Sequence, residues 1–396
     1  GEVAFKLYDT FGFPLDLTED MLKDNKLSVD QEKFDILMQE QKQRAKAAWR
    51  GIGDSDNDGD FKMLLEEFAI NEFIGYTQTK SSVKVLALLD ENKKRVMSVE
   101  KNKNAWIMFD KTPFYALSGG QTGDSGVIVD YAKVTDTRKF FGLNLSKITT
   151  NKTININDEL LVSVDSNRLE ITKHHSATHL IHATLRSVLG VHVEQAGSSV
   201  EVDKLRFDFS HSKALTKEEL SLIENKVNKQ VAQSIPNNTQ EMSVDKAKES
   251  GAMALFGEKY GDKVRVVEFK KASIELCGGT HVNNTAEIGT IIITKESGVS
   301  AGVRRIEAIC GQSAYKYMKK QRELLEQINS SLKNNNPLNG IDKLKTQIKT
   351  LKEELQITLK NNKKNLIAEE INGIKTIIAE IESGDIKSRI DEIKNE

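Results

Sequence analysis

The stretch Arg168–Gly190, RLEITKHHSATHLIHATLRSVLG, decides how the rest of the chain is read. Apolar residues recur at helical spacing through Leu169, Leu180, Ile181, Leu185, Val188 and Leu189, no proline interrupts, and Gly190 supplies a stop, so the stretch predicts one helix. With Ala177, Ala183 and Thr184 these side chains cover most of the circumference, and the helix is expected to be largely buried. One polar stripe holds Arg168, His175, His179, His182 and Arg186. Three imidazoles along one line of a buried helix need a partner.

Metal is one such partner. Histidines at i and i+4 project side by side and can reach one zinc at about 2.0–2.1 Å. His175 and His179 have this spacing, although His179 with His182, or His175 with His182, are alternatives, and core-edge histidines bonded to backbone or carboxylate are another. Far downstream, ELCGGTHV places Cys277 and His281 again four apart, where a predicted strand ends in Gly278-Gly279. These are ligand types that zinc selects, and zinc would hold Cys277 as the thiolate. Structural zinc sites usually use more cysteines at C-x-x-C spacing, so helix imidazoles plus one thiolate point to a working metal. The metalloprotease signature H-E-x-x-H is absent because Ser176 stands where its Glu would be, and the deaminase signature is absent too. A hydrolase here has no obvious carboxylate base.

A chain of 396 residues suggests two or three domains with ample material for a core. Its 38% hydrophobic and 29% charged composition reads as soluble and globular. No apolar run approaches the ~18 residues of a membrane span, and no signal peptide is evident. The first residue, Gly1, falls inside an amphipathic segment, as expected of a piece of a longer protein. Two cysteines, Cys277 and Cys310, exclude a disulfide framework and fit a reducing cytoplasm. A net charge of −1 gives no global push toward nucleic acid, so any RNA binding must come from local patches.

Residues 1–75 read as helical: one helix ends before Gly12-Phe13-Pro14, Asp16 or Thr18 is placed to cap the next, and Phe34, Leu37, Met38, Ala45, Ala48 and Trp49 share an edge. In GIGDSDNDGD, Asp54, Asp56, Asp58 and Gly59 match the opening of a calcium loop, but Leu65 occupies the position needing Glu, and a solvated linker is the better reading. Over 76–165, SVKVLALLD, KRVMSVEK, NAWIMFD, SGVIVDYAKVTDT, TINI and ELLVSVD show period two, as in a small barrel or sandwich. Within it, TPFYALSGGQTGDSG carries glycines at 119, 120, 123 and 126, which permit close backbone approach without matching a phosphate loop.

After the histidine helix, VHVEQAGSSVEVDKLRFDFSH predicts a hairpin with Val191, Val193 and Gln195 on one face and Leu205, Phe207 and Phe209 on the return. Gln195 ends an apolar face, either as a recognition residue or bonded to its own turn. A charged helix, a helix and loop at GAMALFGEKYGD, and strands KVRVVEF, ASIEL and two from IGTIIITKESGVSAGVRRIEAIC complete 166–312 as an α+β layer. Over 313–366, two helices flank Asn334-Asn335-Asn336-Pro337. Ile341, Leu344, Ile348, Leu351 and Leu355 alternate spacings of three and four, predicting an antiparallel coiled-coil hairpin and a surface through which the chain can oligomerise. The fold class is α+β and multidomain: helical segment, small β-barrel, α/β layer and helical hairpin.

HSATHLIHATL, QAGSSV, LRFDFSH, GAMALFGEKYGD, ELCGGTHV and SGVSAGVRRIEA together resemble the editing domain of the alanyl-tRNA synthetase family, and more loosely that of threonyl-tRNA synthetases and free-standing alanyl-tRNA deacylases. The resemblance runs upstream through the glycine-rich stretch to KLYDTFGFPLDLTED, similar to the end of the family's tRNA-recognition domain, and covers nearly the whole chain. It implies one zinc held by His175, His179, Cys277 and His281, and hydrolysis of Ser or Gly wrongly esterified to alanine tRNA. A synthesis pocket sized for a methyl group cannot strongly reject a smaller side chain or one bearing a hydroxyl, so a second sieve is needed. The resemblance makes Cys277, Gln195 and Thr178 catalytic, with Gln195 and Thr178 sensing the substrate side chain. Arg304, Gly119, Gly120 and Gln121 would bind substrate, Arg304 at the terminal adenosine phosphate. Leu117 departs from the family's usual A-E-S-G-G-Q, losing a carboxylate. Residues 367–396 resemble only the opening of a C-terminal domain, and ATP would belong to an aminoacylation core absent from this stretch. The rival readings are a non-catalytic tRNA-binding module with structural zinc and a scaffold organised by the tail hairpin.

Overall fold

Alternation of apolar and polar residues from Lys80 onward is resolved as a closed barrel. The computed structural model describes residues 1–11, 15–23, 27–48, 60–253, 263–361, 369–376 and 390. The chain divides into two compact units, Gly1–Tyr317 and Met318–Glu396. The acidic run at 54–59, most of the GAMALFGEKYGD segment and most of 367–396 lie outside the described residues.

The first unit begins with helices α1 (Glu2–Phe11), α2 (Leu15–Lys23) and α3 (Gln31–Ala48). Phe5 of α1 meets Phe34 of α3 edge-on at 6.3 Å between ring centroids. Because α2 already starts at Leu15, Asp16 and Thr18 lie inside it and do not precede it as caps. Helix α4 (Phe61–Glu67) buries Phe61 and Leu64 against Ala87, Leu89, Met108 and Leu145 of the barrel wall.

The barrel strands are β1 (Lys80–Leu89), β2 (Asn104–Phe109), β3 (Gly126–Ile128), β4 (Ala132–Phe140), β5 (Leu143–Thr150) and β6 (Glu159–Val164). They pair antiparallel in the order β6-β3-β4-β5-β2-β1, and β6 pairs back onto β1 with Leu160 opposite Val83, which closes the sheet. Closure removes both edges and leaves one filled interior, including Val85, Ile107, Phe109, Val134 and Ile148. The run SGVIVDYAKVTDT is two strands joined by a tight turn, and β5 was not evident from sequence.

The layer that follows is built on α5 (Asn167–Leu189), stopped by Gly190 at a φ of 118° that favours glycine. Strands β7 (Gln195–Val200) and β8 (Leu205–Ser210) precede helix α6 (Lys217–Ala232), whose Thr216 and Glu219 form a reciprocal cap. Then come β9 (Asn237–Ser243), the short α7 (Val244–Glu249), β10 (Lys263–Phe269), β11 (Ser273–Leu276), β12 (Ile292–Ser300) and β13 (Val303–Ile309). One sheet has the order β7-β8-β13-β12 and another β9-β10-β11. Helix α5 shares a core with both: Ala177, Leu180, Ile181 and Leu185 pack with Phe207, Phe209, Val267 and Ile306. Leu169 is nevertheless 52% exposed, and Val191 is 79% exposed while Val193 is buried, because the strand begins only at Gln195.

Helix α8 (Gly311–Leu332) crosses the boundary between the units, and α9 (Pro337–Asn361) lies in the second. The apolar seam of α9 stays exposed, from 39% at Ile341 to 62% at Leu351. Strands Glu369–Ile371 and Ile374–Thr376 form a small hairpin. Among the described residues, no helix is long and apolar enough to cross a membrane.

Candidate functional site

Two chain segments meet over the middle of α5. Its turns at 175 and 179 present imidazoles toward β11, whose period-two alternation sends Ile274 and Leu276 to a separate small core and Ser273, Glu275 and the following Cys277 toward α5. The chain then turns at Gly278-Gly279 and returns His281. The ligand atoms of His175, His179, Cys277 and His281 all lie within 4.8 Å of one another. Cys277 Sγ is 3.4 Å from His175 Nε2 and 3.2 Å from His281 Nε2. Donors sharing a tetrahedral zinc with bonds of about 2.0–2.3 Å stand roughly 3.3–3.7 Å apart, close to the two Cys277 separations, and the group as a whole could hold one metal ion.

Partners behind the rings fix which nitrogen faces inward. Gln121, fully buried, accepts on Oε1 from His175 Nδ1 at 2.7 Å and from Thr280 N–H at 2.9 Å, and its Nε2 donates to Thr280 Oγ1 at 2.9 Å. Ser176 Oγ donates to Thr172 O at 3.0 Å and accepts from Val282 N–H at 3.0 Å. With its proton so placed, it can only accept from His281 Nδ1–H, 3.1 Å away. Ser176, the residue that departs from H-E-x-x-H, therefore sets the tautomer of a distant histidine. Burial, and secondarily the neighbouring imidazoles, pushes the His175 and His281 pKa values well below the ordinary histidine value, and burial lowers His179 as well. The rings are thus neutral, as cation binding requires.

The turn itself is clamped. A Cβ on Gly279 would fall 2.0 Å from His175 Cε1, so only glycine lets the backbone pass. Arg265 Nη1 donates to Cys277 O at 3.0 Å and Gly279 O at 2.9 Å, its guanidinium lies 4.1 Å from the Tyr76 ring centroid, and Tyr76 donates to Gly278 O at 2.7 Å.

A cavity of about 290 Å³ opens beside the donors, walled by His175, His179 and Cys277 together with Thr178, Gln195 and Gly119. Thr178 Oγ1 donates to His175 O at 2.6 Å, and Gln195 Nε2 donates to Ser198 Oγ at 3.2 Å. Lys263, Arg265 and Glu275 also reach this wall. Arg304 does not line it: its guanidinium engages Glu296, with Nε 2.6 Å from the carboxylate. Gly120 is also set back, at φ +80° with Ser198 against it, where Val200 N–H donates to Gly120 O at 2.7 Å. The glycine-rich stretch thereby joins barrel to layer and delivers Gln121 to His175. Leu117 pairs through its backbone with Thr137 O at 2.9 Å. A recess of about 330 Å³ beside Arg168 is somewhat larger, but its wall carries Asp124, Asp165, Glu201 and Asp203 and none of the four donors.

The remaining members of the polar stripe are structural. Arg168 forms a buried ion pair with Asp124 and donates to Gly75 O and Pro113 O, each at 3.0 Å, while Arg186 donates to Val193 O at 2.6 Å. His182 Nδ1 lies 3.1 Å from Glu275 Oε1. Sequence reading overlooked Glu275, yet the signal was present: it stands two residues before Cys277 on a strand, hence on the same face.

A family described as class II (A) tRNA synthetases matches residues 1–168, and one described as the threonyl and alanyl tRNA synthetase second additional domain matches 264–307. The whole chain aligns with the alanine–tRNA ligases of Sulfurimonas denitrificans at 57% identity, Sulfurovum sp. at 54% and Campylobacter jejuni at 52%, covering 46–47% of each. The chain belongs to the alanyl-tRNA synthetase family. It spans about half the length of the curated relatives it matches. The second-additional-domain match holds Cys277 and His281, whereas His175, His179 and Gln195 fall between the two matches. In this member of the family the donor set is therefore assembled across a match boundary, by α5.

Proposed function

We propose that this chain carries the editing activity of an alanyl-tRNA synthetase, hydrolysing the ester that joins serine or glycine to alanine tRNA, with zinc on His175, His179, Cys277 and His281. The observation that carries the proposal is the placement of these four donors within 4.8 Å of one another at a cavity that Thr178 and Gln195 also line. A purely structural zinc in a tRNA-binding module needs no adjoining cavity. When bound, zinc supplies Lewis-acid polarisation of the ester or activation of water.

The chain's own residues do the sorting. Gln195, at the start of β7, offers a carboxamide to a seryl hydroxyl, and Thr178, anchored on His175 O, shapes the wall beside it. Alanine lacks the hydroxyl, so the contact favours serine over the cognate residue. Positive charge for the 3′-terminal phosphate comes from Lys263 and Arg265 at the cavity wall, because Arg304 is engaged by Glu296. Tyr76 and Arg265 hold the Gly278-Gly279 turn, so that substrate entry does not move Cys277.

Cys277→Ala tests the reading. The fold should persist by circular dichroism, and release of serine from Ser-tRNA should fall at least about a hundredfold. Hydrolysis at the native rate would overturn the proposal.

A further inference from the structure

Each ring that faces the metal site needs a partner on its other nitrogen, and two have one: Gln121 for His175 and Ser176 for His281. His179 Nδ1 is buried without a hydrogen bond, and Glu275 Oε2 lies 3.7 Å from it. Glu275 is itself buried, 5% exposed, a placement that costs free energy unless the carboxylate is well engaged. Its Oε1 takes two donors, Ser273 Oγ at 3.1 Å and His182 Nδ1 at 3.1 Å. Both anchors fall on one oxygen, leaving the other beside His179.

We propose that Glu275, steadied by His182, is a positioning residue: it holds His179 Nδ1–H so that Nε2 faces the other three donors. The inference rests on reading the four-residue cluster as a metal centre. It assigns the third helix histidine, His182, to the shell behind the ligands. There its ring packs on Phe207 with centroids 5.1 Å apart and donates to the carboxylate. It also accounts for the composition of this face of β11, where Ser273, Glu275 and Cys277 alternate with Ile274 and Leu276: two polar residues support the ligand field and one joins it. Carboxylate–histidine–metal relays of this kind orient the ring and raise its basicity, and their removal typically weakens metal binding about 10–100-fold.

The test uses the full 396-residue chain. Zinc affinity is measured by competition with a chromophoric chelator, and site geometry by the visible spectrum of the cobalt(II)-loaded protein. Glu275→Gln keeps the volume but leaves one acceptor for two imidazole donors, and should weaken zinc binding about 10–100-fold and alter the cobalt bands. His182→Ala should weaken binding in the same direction. His182→Asn, whose amide N–H stands in for Nδ1–H, should return affinity to within about threefold of native. Zinc binding by Glu275→Gln within about threefold of native overturns the proposal, as does equal weakening by the Ala and Asn variants, which would make His182 mere packing. If Glu275→Gln fails to fold, the His182 pair decides alone. A native chain that takes up neither zinc nor cobalt would overturn the metal-centre reading itself.

Discussion

The barrel and the layer built on α5 are both antiparallel β-structures with buried cores, yet they bury different things. Inside the barrel the core of Val85, Ile107, Phe109, Val134 and Ile148 is apolar, the buried hydroxyls of Thr137, Ser146 and Thr150 bond to one another or to backbone, and closure of β6 onto β1 removes the edges. The middle of α5 instead buries His174, His175, Ser176, Thr178, His179 and His182 within one short stretch of helix, against Glu275 and Thr280. The difference shows where stability was exchanged for chemistry. An apolar interior tolerates local repacking, while a buried polar cluster holds only if every member finds its partner.

Mutations should separate the two regions. The largest effect belongs to the barrel: Phe109→Ala, at a site 1% exposed, should cost about 3–5 kcal/mol by urea unfolding while leaving zinc affinity of the folded fraction within twofold. A matching loss of affinity would mean that the regions are not separable. Next, adjacent glycines should behave oppositely. Gly279→Ala forces a Cβ to 2.0 Å from His175 and should destabilise by about 1–3 kcal/mol and abolish metal uptake. Gly278→Ala, whose Cβ meets nothing within 4 Å, should stay within about 0.5 kcal/mol of native and bind metal normally. Equal behaviour of the two would break the argument for close approach.

The third effect is one of pH. Burial depresses His175, His179 and His281 in the folded chain, so the unfolded chain binds more protons once pH falls below its ordinary histidine value of about 6.5. The metal-free protein should therefore hold its full stability above that pH and lose it progressively as pH drops toward the depressed values. A melting temperature flat between pH 8 and pH 5.5 would count against neutral buried imidazoles. The smallest structural effect is Gln195→His: stability within about 0.5 kcal/mol, with Ser-tRNA hydrolysis reduced about tenfold and tRNA binding little changed. Equal losses in hydrolysis and binding would remove the hydroxyl-sensing role.

Legibility in the sequence followed from how much of a residue's role is local. The α5 helix could be read because its period and its stop at Gly190 are properties of one segment. Strand β5 escaped notice because LNLSKITT is buried on both faces over its first half and shows no clean alternation. Strand β9, NNTQEMS, escaped for the opposite reason, as a mostly exposed edge strand with little apolar signal. Gln121 looked like part of a substrate loop, and only the packing of that loop against β7 shows its carboxamide turned onto His175.

From sequence alone came the helical spacing of His175 and His179, the matching spacing of Cys277 and His281, and the change of period between barrel and helix, all fixed by bonds within short segments. Tertiary structure alone decided that a glutamine from the barrel, a serine inside α5 and a glutamate on β11 stand behind those imidazoles. Such partners lie between 54 and 105 residues away, and no local periodicity records a contact made only when separate elements pack.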